Sequence, residues 1–418
     1  MLRAAEASGL GLAEAFVRRG RSRRFRCGQG MAEVHTSVEE GWAVRVGDGR
    51  RAAFHSGSGA PRLDTALRDL RPGVLELPEP APVLDYEYPE STGHPLLAEA
   101  EGLARLAEAG RTLAHDIAGG RFLDAWIEDG ASESVVVSTT GVDAEVRHRS
   151  ALLRLHAVAA APGLETAVVS VAAASARDLD LAPHLRRLID ILRIRCEGAP
   201  ALATRGPILL GPEVAARLVA TLAPAFRRAP EAAARWLGAE GDRVATGSVD
   251  LYDDGRLPGG VLSAPVDGEG VVTGRRELVV EGRVVGALRP WQEDPSGPGC
   301  RRRASWRDLP AVGPSQMYLA PGSASPLELL AELGRGHYLI GCEEGLDVHG
   351  AGAALRVFGF AVEAGRAVAP VVGKLIVDPH RLLSAIDAVG RDLRFIPMGS
   401  LFGSPSLVVS GVDLVPDP

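Results

Sequence analysis

Ten histidines, four cysteines and one lysine bound the chemistry open to this 418-residue chain. The densest group of metal-ligating types is His337, Cys342, Glu343, Glu344 and His349, all within thirteen residues. Imidazole, thiolate and carboxylate together suit a divalent transition metal, provided a loop folds them onto one point. A strand ending in an acidic turn accounts for the same residues. Elsewhere the donors are scattered, with no His-Glu-x-x-His, no His-x-His and no cysteine pair at zinc spacing. His148 and His156 stand eight apart on a predicted strand. That spacing puts them on one face but about 26 Å from each other at about 3.3 Å per residue, so they read as two exposed strand histidines.

Nucleophile signatures are equally sparse. There is no Gly-x-Ser-x-Gly elbow, and the Ser/Gly clusters at Ser56–Gly59 and Gly322–Ser325 read as turns. Gly9-x-Gly11 lacks the third glycine and the preceding strand of a dinucleotide loop. Lys374 is the only lysine, and its context VVGKLIVD has neither the glycine spacing nor the Ser/Thr of a phosphate loop. Two arginine clusters stand out: Arg18, Arg19, Arg21, Arg23, Arg24 and Arg26, and then Arg301–Arg303 with Arg307. Each could meet a phosphate backbone or an acidic partner. Each could equally be a strand edge protected by charge. A net charge of −7 and few interleaved aromatics argue against nucleic acid. Read residue by residue, the chain shows no catalytic site.

The elements around these residues predict an α+β fold. Gly 50 and Pro 29 favour many tight turns, hence a strand-rich protein. No stretch reaches the roughly 20 apolar residues of a membrane span. The opening MLRAAEASGLGLAEAF lacks a secretory signature, and Cys27, Cys196, Cys300 and Cys342 are unpaired in spacing. The expectation is a cytoplasmic protein with reduced thiols.

A short helix near Leu2–Ala7 precedes strand segments of five to eight residues at Ala13–Val17, Ser22–Cys27, Ala32–Val38, Trp42–Val46 and Arg51–His55. Leu63–Leu70 reads as a helix, followed by a proline-rich connector. The pattern then restarts with a helix from Pro95 to about Ile117 and strands at Phe122–Glu128, Ser134–Thr139, Asp143–Ala159 and Leu164–Ala174. A helix at Leu181–Cys196 closes this round, which suggests an internal duplication in the N-terminal half.

The texture changes between about 198 and 206, dividing the chain into an N-terminal α/β meander domain (1–200) and a strand-rich C-terminal domain (201–418). PILLGPEVAARLVATLAPAFRR gives a short strand and an alanine-rich helix starting at Pro212. Strands at Arg276–Val280 and Arg283–Leu288 lead into a polar loop, Pro290–Pro314. Helices at Pro326–Leu333 and Pro379–Val389 alternate with strands near Tyr338–Ile340, Ala354–Val362, Ala367–Val371 and Leu407–Leu414.

Four C-terminal segments carry a resemblance, in order: SQMYLAPGSASPLELLAELGRGHYLIG (Ser315–Gly341), VFGFAVEAGRAVAPVVGKLIVD (Val357–Asp378), LLSAIDAVGRDL (Leu382–Leu393) and FGSPSLVVSGVDL (Phe402–Leu414). With the opening AEAFVRRGRSRR…EEGWAVRVGDGRRAAF, the chain resembles the TldD/PmbA family over nearly its whole length. These are the peptidase-like proteins first called modulators of DNA gyrase. The TldD-like branch of that family holds zinc with a His-Glu-x-x-x-His helix and a C-terminal cysteine. The PmbA branch, also called TldE, lacks them and pairs with a TldD-like subunit.

In this chain Ala220-Thr221-Leu222-Ala223-Pro224-Ala225 aligns with the zinc helix, and Met398-Gly399-Ser400 with the cysteine position. The resemblance therefore implies a PmbA/TldE-like, catalytically inactive subunit of a heterodimeric peptidase acting on unfolded or modified peptides. It implies zinc in the TldD-like partner and none in this chain, with substrate backbone held by strand addition. No catalytic, metal or cofactor-binding residue is assigned. The rival readings are a stand-alone hydrolase with a metal site relocated to His337, Cys342 and His349, and a binding protein for a peptide or natural-product precursor.

Overall fold

The computed structural model describes residues 11–59, 66, 68–83, 86–160, 164–227, 237–345, 347–349 and 352–417. The predicted helix at Leu2–Ala7 and half of the one at Leu63–Leu70 lie outside them. The fold is α+β, as expected, with largely antiparallel sheets and flanking helices.

The first sheet has seven strands and is built almost entirely from two meanders. The first comprises β1 (Leu12–Gly28), β2 (Met31–Gly47) and β3 (Arg51–Gly57). The second comprises β4 (Arg121–Ser138), β5 (Asp143–Ala159) and β6 (Glu165–Ala173). They join through the antiparallel pair β1–β4, and the two-residue strand Arg71–Pro72 closes the edge beside β3. Strand lengths of 17, 17 and 7 residues in one meander match 18, 17 and 9 in the other. This is the repeated architecture that the restarting sequence pattern implies.

The predicted short strands of the first meander are in fact two long ones. Gly20 and Gly41, which fall between the predicted segments, lie inside β1 and β2. Partner strands supply the ladder there, so pairing overrides the low strand preference of glycine. Gly41 has a further reason: a Cβ at that position would come within 2.1 Å of the Trp306 indole. The chain turns instead at Gln29–Gly30, both at positive φ. Likewise Phe122–Glu128 and Ser134–Thr139 merge into β4, with Gly130 paired on both sides, to Ser22 and Ser150.

Helix α1 (Glu99–Asp116) lays Leu106, Ala109 and Leu113 on this sheet. Helix α2 (Leu181–Glu197) buries Leu185, Leu188, Ile189 and Leu192, and Asp180 caps its N-terminus by accepting from the Ala182 N–H. Each of these fully buried leucines contributes about 2 kcal/mol of transfer free energy. Phe358, from the second half of the chain, joins the same core.

Strands from Ala199 onward form the remaining sheets. In the nine-stranded sheet, β7 (Ile208–Leu210) runs parallel to β11 (Gly336–Cys342), which pairs with the hairpin β12 (Gly352–Glu363) and β13 (Arg366–Val377). The six-stranded sheet contains β8 (Leu251–Asp254), β9 (Arg275–Val280) and β10 (Gln316–Leu319). It ends in β16 (Leu401–Ser404) and the edge strand β15 (Arg394–Pro397). Between the two sheets lies helix α3 (Pro212–Ala220), whose Val214, Ala215, Leu218 and Val219 are fully enclosed.

Helix α5 (Pro326–Leu333) starts at a capping box of Ser325 and Glu328. The predicted helix at Pro379–Val389 is a single 3₁₀ turn, Leu383–Ala385, leading into strand β14 (Ile386–Val389). Ile386 and Val389 pair with β17 (Leu407–Val409), and this edge pairing removes them from a helical stripe. Arg283–Leu288 is strand only at Arg283–Val284. Leu407–Leu414 is two strands, β17 and β18 (Asp413–Val415), parted by a turn at Gly411 with φ of 75°. No helix among the described residues is long and apolar enough to cross a membrane.

Candidate functional site

Helix α3 stops at Ala220, and Thr221 donates its hydroxyl back to the Leu218 carbonyl at 2.6 Å. Pro224 has no N–H to continue the ladder, so the chain restarts as the four-residue helix α4 (Ala223–Phe226). Ala225 is buried in it. Ser400 donates to the Pro314 carbonyl at 2.8 Å. The four positions thus hold two methyl groups and two hydroxyls already engaged by carbonyls. Zinc requires imidazole, thiolate or carboxylate donors, and these residues do not fit it.

The cluster His337, Cys342, Glu343, Glu344 and His349 does not converge. Cys342 is buried in the C-terminal core, and burial pushes its thiol up to about 12. Glu343 accepts from Arg195 at 2.7 Å and Arg356 at 3.3 Å. Glu344 accepts from Arg154 at 2.6 Å and from the Ser170 hydroxyl at 3.0 Å. His337 sits on β11 opposite Ala361, and burial lowers its pKa. The side chain of His349 lies outside the described residues. Among the described residues no three His, Cys, Asp or Glu side chains are placed to hold a metal. Cys27, Cys196, Cys300 and Cys342 are free thiols.

His148 departs from its expected exposure. Its Nε2 lies 2.7 Å from the Val261 carbonyl, and burial followed by the Arg18 and Arg302 charges lowers its pKa. His156 is also half-buried, and desolvation is the main cause lowering it. The long loop 257–263 therefore folds against the first sheet, a contact without any local sequence signal.

The first arginine cluster is largely neutralised by neighbouring carboxylates. Arg24 pairs with Glu128, Arg26 with Asp124 and Glu33, Arg19 with Glu40, and Arg18 with Glu39. Arg23 donates to the Leu97 carbonyl at 2.7 Å. In the second cluster Arg301–Arg303 are half-buried, while Arg307 is exposed over the Trp306 ring. Arg303 bonds Glu14, Arg301 pairs with Glu269 at 3.3 Å, and Arg45 bridges Glu14 and Glu269. Both carboxylates and Arg45 are buried, so this network clasps the first sheet to the second half of the chain.

A cavity of about 860 Å³ opens where the two halves meet. That volume lies within the ~300–1,000 Å³ usual for ligand clefts. One wall is β6, the free edge of the seven-stranded sheet, through Val169–Ala172. The facing wall is β15, the free edge of the six-stranded sheet, through Arg394–Ile396. Helix α2 contributes His184, Arg186 and Arg187, while the loop Leu257–Val261 and Gln316 close one side.

Gln316 fixes that loop. It accepts from the Leu262 N–H at 3.3 Å and donates to the Asp254 carbonyl at 2.9 Å and the Ser263 hydroxyl at 3.0 Å. Arg187 is spent on Glu213 at 2.9 Å and on the Ile340 carbonyl. Burial first, then the Arg394 and Arg187 charges, hold His184 below its ordinary range. Strands β6 and β15 each lack a partner on one side among the described residues, so either edge can pair with an extended chain by backbone hydrogen bonding. Sequence reading missed the cleft because residues more than two hundred positions apart build it.

Comparison with known proteins agrees with this architecture. TldE from Thermococcus kodakarensis superposes with a TM-score of 0.87 at 17% identity, covering 99% of this chain and 98% of that one. A proposed modulator of a DNA gyrase from Thermotoga maritima MSB8 gives 0.86 at 18% identity, over 99% and 98%. A proposed modulator of DNA gyrase from Bacteroides thetaiotaomicron VPI-5482 gives 0.78 at 16% identity, over 100% and 97%. At these identities the likeness is one of fold. No curated protein sequence matches the chain. The family model for the PmbA/TldA metallopeptidase C-terminal domain matches residues 203–415, more than half of the sequence. The chain belongs to the PmbA/TldD family.

Proposed function

We propose that this chain is the TldE-like, non-catalytic subunit of a two-chain zinc peptidase of the TldD/TldE type. Its substrates are unfolded or modified peptides, and its compartment is the cytoplasm. The observation that carries the reading is the residue set Ala220, Thr221, Ala225 and Ser400 at the family's ligand and base positions. Hydrolysis of a peptide bond needs a polarising group and an activated water, and alanine supplies neither. The surrounding fold persists, with α3 enclosed between two sheets, so what remains is a scaffold with a cleft. In this role the cleft holds an extended peptide segment along β6 or β15 while the TldD-like partner cuts.

Purification of the tagged chain from its native cell tests the assignment. A TldD-like subunit should copurify, with zinc tracking that subunit and not this chain. Stoichiometric zinc in the separated chain, lost on His337→Ala or Cys342→Ala, would overturn the reading.

A further inference from the structure

We propose that the cleft between β6 and β15 selects acidic peptide segments, with Arg186 and Arg394 reading the charge at its rim. The inference rests on the cleft as a strand-addition site and names the substrate class that this site prefers.

The charges around the cleft are unequal in their commitments. Arg187 and Glu213 satisfy each other at 2.9 Å. Asp190 leans toward Arg193 at 3.9 Å. Arg186, exposed on α2, and Arg394, the exposed first residue of β15, make no ion pair with any described residue. Both line the one cavity, Arg186 from α2 and Arg394 from β15, so a segment seated there is flanked by both. Val171, Phe395 and Leu401 add apolar surface to the same lining.

An extended peptide turns alternate side chains to opposite faces. A segment alternating apolar residues with Glu or Asp can therefore bury one set and present the other to the arginines. The preference would be local in origin. At a net charge of −7 the whole molecule repels an acidic peptide, so long-range steering cannot supply it.

Fluorescence anisotropy with the full chain and two labelled decapeptides tests this. One peptide alternates Glu with Val and Thr, and the other carries Gln at every Glu. Both are acetylated and amidated, so only side chains carry charge. The expected result is about tenfold tighter binding of the Glu peptide at low salt, as charge-assisted hydrogen bonds imply. Arg186→Gln/Arg394→Gln should bring the two peptides to parity, with the Glu peptide losing its roughly tenfold advantage. Both substitutions are at exposed positions, and the thermal midpoint of the variant checks its fold. Equal affinities in the unaltered chain would overturn charge selection and leave the strand-addition cleft standing. A preference that survives in the double variant would overturn it too, because the charge would be read elsewhere. Failure to bind either peptide would overturn both the selection and the cleft on which it rests.

Discussion

In the proposed reading, Ala220, Thr221, Ala225 and Ser400 stand where the family's zinc branch carries its donors, as two small apolar groups and two hydroxyls bonded to carbonyls. Ala220→His, Thr221→Glu and Ala225→His together should therefore not produce a zinc peptidase, because position 400 still offers only a hydroxyl. Elemental analysis and a peptide-cleavage assay of the triple variant check this. Asp253 makes a different prediction at the same scale. Its carboxylate accepts the N–H groups of Ser315 at 2.8 Å and Gln316 at 2.9 Å. Burial nevertheless raises its pKa from 3.8 to about 6. Across that window the folded carboxyl keeps a proton that the unfolded one has lost, so its contribution to stability falls as pH rises. Asn can accept both bonds through its own oxygen. The stability of the unaltered chain relative to Asp253→Asn should fall by up to about 3 kcal/mol between pH ~4 and ~6 and level off above. Urea unfolding of both proteins across that range measures the difference.

Among the elements, the paired meanders are where sequence and structure agree most and where they part most instructively. Gly41→Val should place a side chain in the space of the Trp306 indole, costing about 2–4 kcal/mol by chemical denaturation. The helices at Leu181–Glu197 and Pro326–Leu333 were legible because apolar spacing and caps are local signals. Strand β5 was legible for the same reason, through its alternation of burial from Arg149 to Ala157. The lengths of β1, β2 and β4 were not, because Gly20, Gly41 and Gly130 are strand residues only by virtue of partners elsewhere in the chain. Ile386–Val389 failed in the other direction, with a helical spacing overridden by the β17 edge. Of the candidate site, the residue types at Ala220, Thr221, Ala225 and Ser400 are local facts of the sequence. The cleft is not, since β6, α2 and β15 meet only in the folded chain.

For the whole molecule, the buried network of Glu14, Arg45, Glu269, Arg301 and Arg303 joins residues up to 289 positions apart. Glu14→Gln leaves two buried guanidiniums short of a counter-charge, and should cost about 3–5 kcal/mol of stability. Calorimetry that finds the variant as stable as the parent would show the clasp to be dispensable. The same clasp ties the first sheet to the second half. The central claim is that this assembled body contributes fold and substrate contacts, while chemistry resides in a partner. Its most direct test is cleavage of an unfolded peptide by this chain alone, by a TldD-like subunit from the same cell alone, and by their mixture. The account predicts that this chain is inert and that the mixture shows chelator-sensitive activity absent from either subunit separately. Chelator-sensitive cleavage by this chain alone, at a rate comparable to the mixture, would contradict it.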